Sequence, residues 1–274
     1  MIEALFEKHL DARVLGTADL SVGVEQKVDL VETDRGRFIC KQPHSDRGIN
    51  RREKLATDLA RSQGVPAPQV FWHDDEVLIQ EYIEGTPLDR ASLSAEQRTR
   101  LWRELGEILG RLHGCELSGF GRLGPDGKGQ SESYLDFYRS QRKEAKWSDP
   151  RAERYYQEHR HYLERKTSVL IHFDMEEEHV LIRDGHIVGL VDFASAFAGA
   201  PGEEFTRLYG LRWKDPLFET LLEGYPAIEL QQIEFFTFLH LHWRIPWHVA
   251  KGNRPEKIML LTQLYRRLIG SPGR

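Results

Sequence analysis

Two aspartates eighteen residues apart bracket the stretch that most constrains this 274-residue chain. The run Leu170-Ile-His172-Phe-Asp174-Met-Glu176-Glu177-Glu178-His179-Val-Leu-Ile182 sets His172 and Asp174 just past an apolar strand, with His179 five residues beyond Asp174. A second apolar strand, Ile187 to Val191, ends at Asp192. Asp184-Gly185 predicts a tight turn that folds this strand back on the apolar run Val180-Leu-Ile182. A chain built this way returns its second carboxylate toward its first. Phosphoryl transfer needs such parts: one carboxylate to orient an attacking hydroxyl and accept its proton, and another to hold Mg²⁺ against a polyphosphate.

The surrounding patterns predict a small α+β part followed by a larger helical one. Lys27–Glu32 and Arg37–Gln42, joined by Thr33-Asp34-Arg35-Gly36, read as a β-hairpin. Asn50 and Glu53 are spaced as a helix cap and its partner, Leu55, Leu59 and Ala60 follow at helical spacing, and Gly64-Val65-Pro66 stops that helix. Val70–Trp72 and Val77–Tyr82 read as a second strand pair. Ser94 and Gln97 form a capping box ahead of the stripe Leu101, Leu105, Ile108, Leu109 and Leu112. The glycine-rich segment 119–133 reads as a loop. Helices are expected around 134–146, 151–165, 228–243 and 255–269. The expected division is a small N-terminal lobe over 1–84 and a mainly helical lobe over 85–274, with a small-molecule site in the cleft.

Composition excludes several classes. With 38 Lys and Arg against 43 Asp and Glu, the net charge of −5 lacks the basic surface that nucleic acids or anionic membranes require. The 40% hydrophobic content argues against disorder. Cys40 and Cys115 are too few for a disulfide framework or a zinc cluster. No apolar run is long enough to span a bilayer, and Glu3, Glu7 and Lys8 near the start speak against a signal peptide. A cytoplasmic protein, monomeric or weakly dimeric, is expected.

Taken together the motifs resemble the aminoglycoside phosphotransferase family, the small-molecule branch of the protein-kinase-like fold. The catalytic-loop pattern there is His-x-Asp-x-x-x-x-Asn followed by Ile-Asp-Trp or Ile-Asp-Phe, and residues 172–179 and 191–193 are similar to it. Further landmarks follow in the family's order between about residues 20 and 210. They are Lys41 on a strand, Glu53 on the next helix, Gly64-Val-Pro-Ala-Pro68, the hinge-like Glu81-Tyr-Ile83-Glu-Gly85, and a helix ending in Leu112-His113. The resemblance implies an α+β kinase-like fold and a phosphotransferase using ATP or GTP with Mg²⁺. Asp174 would be the catalytic carboxylate, Asp192 and His179 the metal ligands, and Lys41 with Glu53 the phosphate clamp. Glu81 and Ile83 would meet the nucleotide base, and Ser21 and Gly23 would belong to a phosphate loop.

Several residues depart from the family's pattern. His179 stands where most members have Asn, a change that resembles macrolide phosphotransferases; Mg²⁺ prefers oxygen to imidazole nitrogen. Glu176 adds a negative charge close to the catalytic position, and Ala200 replaces an acid while Glu204 keeps one nearby. Acids at Glu176, Glu177, Glu178, Glu203 and Glu204 favour a cationic acceptor such as an aminoglycoside, with Glu203 and Glu204 as acceptor contacts and antibiotic resistance as the implied role. Aromatic residues 213, 235, 236, 238, 243 and 247 are expected mostly in a helical core; those lining a pocket would suit a macrolide. A metabolic kinase for an amino alcohol, sugar or homoserine-like acceptor, and a nucleotide-binding module with little activity, are the alternatives.

Overall fold

A computed structural model describes residues 2–21, 26–46, 48–142, 149–252 and 254–270. In chain order the elements begin with α1 (Ile2–Leu10), β1 (Val14–Asp19), β2 (Gln26–Thr33), β3 (Gly36–Pro43), α2 (Ile49–Ser62), β4 (Val70–His73), β5 (Leu78–Glu81) and β6 (Thr86–Pro87). Next come α3 (Ala95–Leu112), β7 (Glu116–Leu117), β8 (Phe120–Leu123), β9 (Gly129–Ser131), α4 (Tyr134–Arg142) and α5 (Pro150–His159). The strands β10 (Ser168–Ile171), β11 (Val180–Arg183), β12 (His186–Leu190) and β13 (Phe197–Gly199) follow. The chain closes with α6 (Pro201–Glu204), α7 (Thr206–Arg212), α8 (Pro216–Gly224), α9 (Leu230–Ala250) and α10 (Pro255–Leu268). Two compact units result: Met1–Ala91 with Glu177–Ala196, and Ser92–Glu176 with Phe197–Arg274.

In the first unit, β1-β2-β3-β5-β4 form an antiparallel sheet. The β2–β3 hairpin pairs in one unbroken register from Gln26↔Pro43 to Thr33↔Gly36. The core face of the sheet carries Val31 of β2, Cys40 of β3 and Ile79 of β5, and Phe6 of α1 packs with them at zero exposure. Burying a side chain of that size stabilises by about 1.5–3 kcal/mol. The first helix of the chain, α1, carries no motif that sequence periodicity singled out. A second, three-stranded sheet joins the β11–β12 hairpin to β6.

The expected cap of α2 is corrected by the structure. The helix starts at Ile49 after Gly48, which makes no side-chain cap. Asn50 is fully buried, donates to the Asp74 carbonyl at 3.0 Å and accepts from Gln26 Nε2 at 3.4 Å. Tertiary partners have claimed a side chain that local chemistry assigned to the helix end.

The second unit holds the sheet β7-β10-β13-β8-β9 and the remaining helices. Ser94 and Gln97 form the expected reciprocal capping box, and all five residues of the α3 stripe are buried. The segment 119–133 is not a loop: it contains β8 and β9, paired at Phe120↔Ser131 and Leu123↔Gly129. A Cβ on Gly129 would lie 2.3 Å from the Phe120 nitrogen, so its glycine permits a close strand approach that no other residue allows. Phe235, Phe236 and Phe238 pack in the core, whereas Trp243 and Trp247 on the same helix are 37% and 47% exposed. Among the described residues no helix is long and apolar enough to cross a membrane.

Candidate active site

The first unit assembles an ion-pair network around one buried lysine. β3 carries Lys41, paired in register with Val28 on one side and Leu78 on the other. Its side chain is 6% exposed, and the ammonium lies 2.5 Å from Glu53 Oε1 on α2 and 3.0 Å from Asp192 Oδ1. Burial opposes the charge on Lys41, but the carboxylates of Asp192 and Glu53 outweigh it and raise its pKa. The lysine is therefore a fixed positive charge held at a known place.

Asp192 sits just beyond β12 in the left-handed region, at φ +69°. For a non-glycine residue this conformation is strained and persists only where the surroundings impose it. The hairpin supplies that constraint: Val180 pairs with Leu190, and the Val191 N–H donates to the His179 carbonyl at 3.0 Å. The two ends of the hairpin thereby bring His179 Nε2 to 3.8 Å from Asp192 Oδ2. Asp192 is partly open, its side chain 39% exposed. A carboxylate oxygen that completes its shell with phosphate oxygens is the usual donor set for Mg²⁺, so Asp192 fits that ion, while the His179 nitrogen is a less favoured ligand for it.

Glu81 and Ile83 line a cavity of about 460 Å³ in the same unit, together with Arg37, Arg61 and Arg183. Ile83 packs against Gly189 of β12 so closely that a Cβ there would meet its Cδ1 at 2.9 Å. Ser21 caps the β1–β2 connection, its hydroxyl accepting from Val28 N at 2.9 Å. Gly23 lies outside the described residues.

The second unit holds the loop that follows β10. His172 is fully buried and Phe173 takes a positive φ of +67°. The Glu204 carboxylate, at zero exposure, accepts from the His172 N–H at 2.6 Å and the Phe173 N–H at 3.1 Å, and faces His113 Nε2 at 3.4 Å. His113 is held in turn by the Tyr225 hydroxyl at 2.7 Å. Burial works to raise the Glu204 pKa; the hydrogen bond and charge of His113, the charge of His172 and its backbone N–H overcome it, so the carboxyl stays below its ordinary value. Glu203 is also buried and accepts from the Ala200 N–H at 3.0 Å. Both acids thus serve the backbone.

Asp174 emerges from this braced loop with its side chain 24% exposed, 2.6 Å from Arg207 Nη1 on α7. Glu176 lies 3.1 Å from the same Arg207 nitrogen and 3.1 Å from Arg244 Nη2 on α9. Burial works to raise the Glu176 pKa, but Lys257, Arg207 and Arg244 hold it lowered, so it is ionised.

Residues 17–237 match the model of the phosphotransferase enzyme family, APH, which is most of the chain. The chain belongs to that family. The phosphotransferase also resembles solved structures at low sequence identity, which bears on fold. An aminoglycoside phosphotransferase APH(4)-Ia mutant, in ternary complex with AMP-PNP and hygromycin B, aligns at TM-score 0.74 and 16% identity over 98% of this chain and 97% of that one. A putative fructosamine-3-kinase from Thermobifida fusca aligns at TM-score 0.67 and 21% identity, over 98% of both chains. Macrolide 2′-phosphotransferase MphH from Brachybacterium faecium aligns at TM-score 0.61 and 15% identity, over 100% and 98%. No curated protein sequence matches. The phosphotransferase therefore has the α+β, protein-kinase-like fold that its motifs implied, and it is a member of a family of phosphotransferase enzymes.

The Lys41–Glu53 pair stands where the resemblance implied it; Arg207 and Arg244 were not singled out in the sequence. Neither falls in a motif, and each becomes notable only because a helix brings its guanidinium to Glu176. Of the acids expected to favour a cationic acceptor, Glu176 lies against two arginines, and Glu203 and Glu204 accept from backbone N–H groups.

Proposed function

We propose that the phosphotransferase moves the γ-phosphoryl group of ATP or GTP to a hydroxyl of a small molecule. The observation that carries this reading is the Lys41 ammonium fixed between Glu53 and Asp192, the lysine–glutamate–aspartate arrangement that kinase-type phosphoryl transfer requires. Residues 1–84 would bind nucleotide and residues 85–274 the acceptor. Lys41 would hold the phosphates, Glu81 and Ile83 would meet the base, and Ser21 and Gly23 would close over the phosphates. Asp192 would hold Mg²⁺, with His179 beside it; the ion would neutralise charge on the transferring phosphates.

Asp174 would orient the acceptor hydroxyl and take its proton. The hydroxyl oxygen forms a new bond to the γ-phosphorus while the bond from that phosphorus to the β–γ bridging oxygen breaks. The nucleoside diphosphate leaves with the electron pair. Arg207 holds the Asp174 carboxylate in place and Glu204 braces the loop beneath it.

Aminoglycosides, bound by APH(4)-Ia as hygromycin B, and macrolides remain candidate acceptors, and with them a role in resistance. The pairing of Glu176 with arginines favours a metabolic acceptor over a polycation. Coupled ADP-release assays with Mg²⁺ across antibiotics, sugars, amino alcohols and hydroxy acids test the reading. Turnover that Asp174→Asn abolishes supports it. Nucleotide binding without release of ADP for any acceptor would reduce the protein to a binding module.

A further inference from the structure

A second cavity, of about 460 Å³, lies wholly within the unit formed by Ser92–Glu176 and Phe197–Arg274. The segment between α5 and β10 contributes Tyr162 and Arg165 to its walls, and the connection from α8 to α9 contributes Tyr225 and Glu229. Gln232 of α9 lines it as well, whereas Asp174, Glu176, Arg207 and Arg244 do not. Gln232 and Arg244 stand twelve residues apart on α9, a rise of about 18 Å along that helix. The cavity is therefore separate from the cluster at Asp174.

Arg165 is half-buried, and its Nε is enclosed without a hydrogen-bond partner. Its guanidinium makes no ion pair or hydrogen bond among the described residues. Burial and the Glu204 charge raise the Tyr225 pKa while the Arg165 charge opposes them, so the guanidinium stands near that phenol. Buried donors normally have a partner, and the guanidinium fork matches a carboxylate through two parallel hydrogen bonds. Glu229 offers the complementary group. The Tyr162 hydroxyl donates to its Oε2 at 2.7 Å, which fixes the carboxylate and leaves Oε1 without a partner among the described residues. Apart from the His161 ring, the charged groups lining the cavity are Arg165, Glu164 and Glu229, and no ion pair joins them among the described residues. A simple anion would face two carboxylates, and a simple cation would leave the guanidinium unmatched. The Gln232 amide, in a residue 8% exposed, makes no hydrogen bond among the described residues and offers both a donor and an acceptor. The Tyr162 and Tyr225 hydroxyls are engaged by Glu229 and His113, so their rings serve as walls.

We infer that this cavity is a binding site for a small zwitterionic amino acid. Arg165 receives its carboxylate, Glu229 Oε1 receives its ammonium, and the Gln232 amide adds a neutral hydrogen bond. Tyr162, Tyr225 and Ile228 enclose the carbon skeleton. Each charge of the ligand then meets its opposite in a cavity of ordinary small-molecule size. The site uses none of the residues assigned to phosphoryl transfer, so it stands apart from that reading.

Calorimetric titration of the nucleotide-free protein tests the assignment with two amino acids, each beside analogues that lack one charge. Phenylalanine is compared with 3-phenylpropionate and phenethylamine, and 4-aminobutyrate with butyrate and propylamine. At least one of the two zwitterions is expected to bind about tenfold or more tighter than both of its analogues. The two series distinguish adjacent charges from separated ones. Arg165→Gln should weaken the zwitterion about tenfold and leave the amine analogue unchanged. Glu229→Gln, which keeps an acceptor for Tyr162, should weaken the zwitterion and the amine and leave the carboxylate analogue unchanged. The melting temperature of free Arg165→Gln should equal that of the wild type, because no ion pair is lost. Absence of binding by both zwitterions, a singly charged analogue that binds as tightly as its parent, or zwitterion affinity that survives both substitutions would overturn the inference. The probe comparison in the wild type stands even if a variant fails to fold. Neither zwitterion carries an alcohol for phosphoryl transfer, so failure here leaves the phosphotransferase reading intact, and failure to release ADP leaves this site intact.

Discussion

Removing the Glu204 carboxylate should loosen the loop that carries Asp174 before it affects anything else. Glu204 is fully buried and satisfies two backbone N–H groups, from His172 and Phe173, plus the His113 ring. In Glu204→Ala both N–H groups lose their acceptor where water does not reach. At about 1–3 kcal/mol for each orphaned buried donor, the loss is about 2–6 kcal/mol. Glu204→Gln keeps the shape and one carbonyl acceptor but turns an amide toward a donor. It forfeits a charge-assisted hydrogen bond of about 1.5–3 kcal/mol. Urea denaturation of the three proteins measures both numbers.

The pH dependence provides a second reading of the same contact. The folded pKa of Glu204 lies below its ordinary 4.5. Its stabilisation is therefore complete above pH 4.5 and is lost as pH falls through the depressed folded value. The gap between wild type and Glu204→Gln should be constant from pH 6 to 8 and shrink on acidification. A loss under about 1 kcal/mol for Glu204→Ala, well below the cost of one orphaned donor, would refute the bracing role. So would a gap that widens in acid.

Other sites give independent checks. Glu53→Gln leaves a buried ammonium facing the Asp192 carboxylate without that of Glu53, and breaking a buried pair costs about 3–5 kcal/mol; calorimetry should show the loss, together with weaker nucleotide-induced stabilisation. Gly106→Ala would place a Cβ 2.1 Å from the Leu221 carbonyl oxygen of α8, so helices α3 and α8 must separate, at a cost of about 1–3 kcal/mol or more by chemical denaturation. Burial pushes the Cys40 thiol up to about 12, so it should resist alkylation at pH 8 in the folded protein and react on unfolding.

The pairing of Lys41 with Glu53 is expected only through the resemblance to a family's motifs, and Asp192, 151 residues from Lys41, joins them only in the tertiary structure. The hairpin turn at Asp184-Gly185, by contrast, is a local event, and it carries His179 and Asp192 to its two ends. The α3 capping box and its apolar stripe were readable for the same reason: hydrogen bonds within four residues and a 3.6-residue period need no distant partner.

What failed locally was decided by distant partners. Asn50 abandons the helix cap because Gln26 and the Asp74 carbonyl reach it, and the glycines of 119–133 pair as strands because their missing side chains let two backbones close. Glu176, Glu203 and Glu204 read as an anionic cluster along the chain. Folding divides them between two guanidinium groups and three backbone N–H groups. A sequence states which charges a chain carries; only the tertiary structure sets the distances that decide whether they face a ligand or one another.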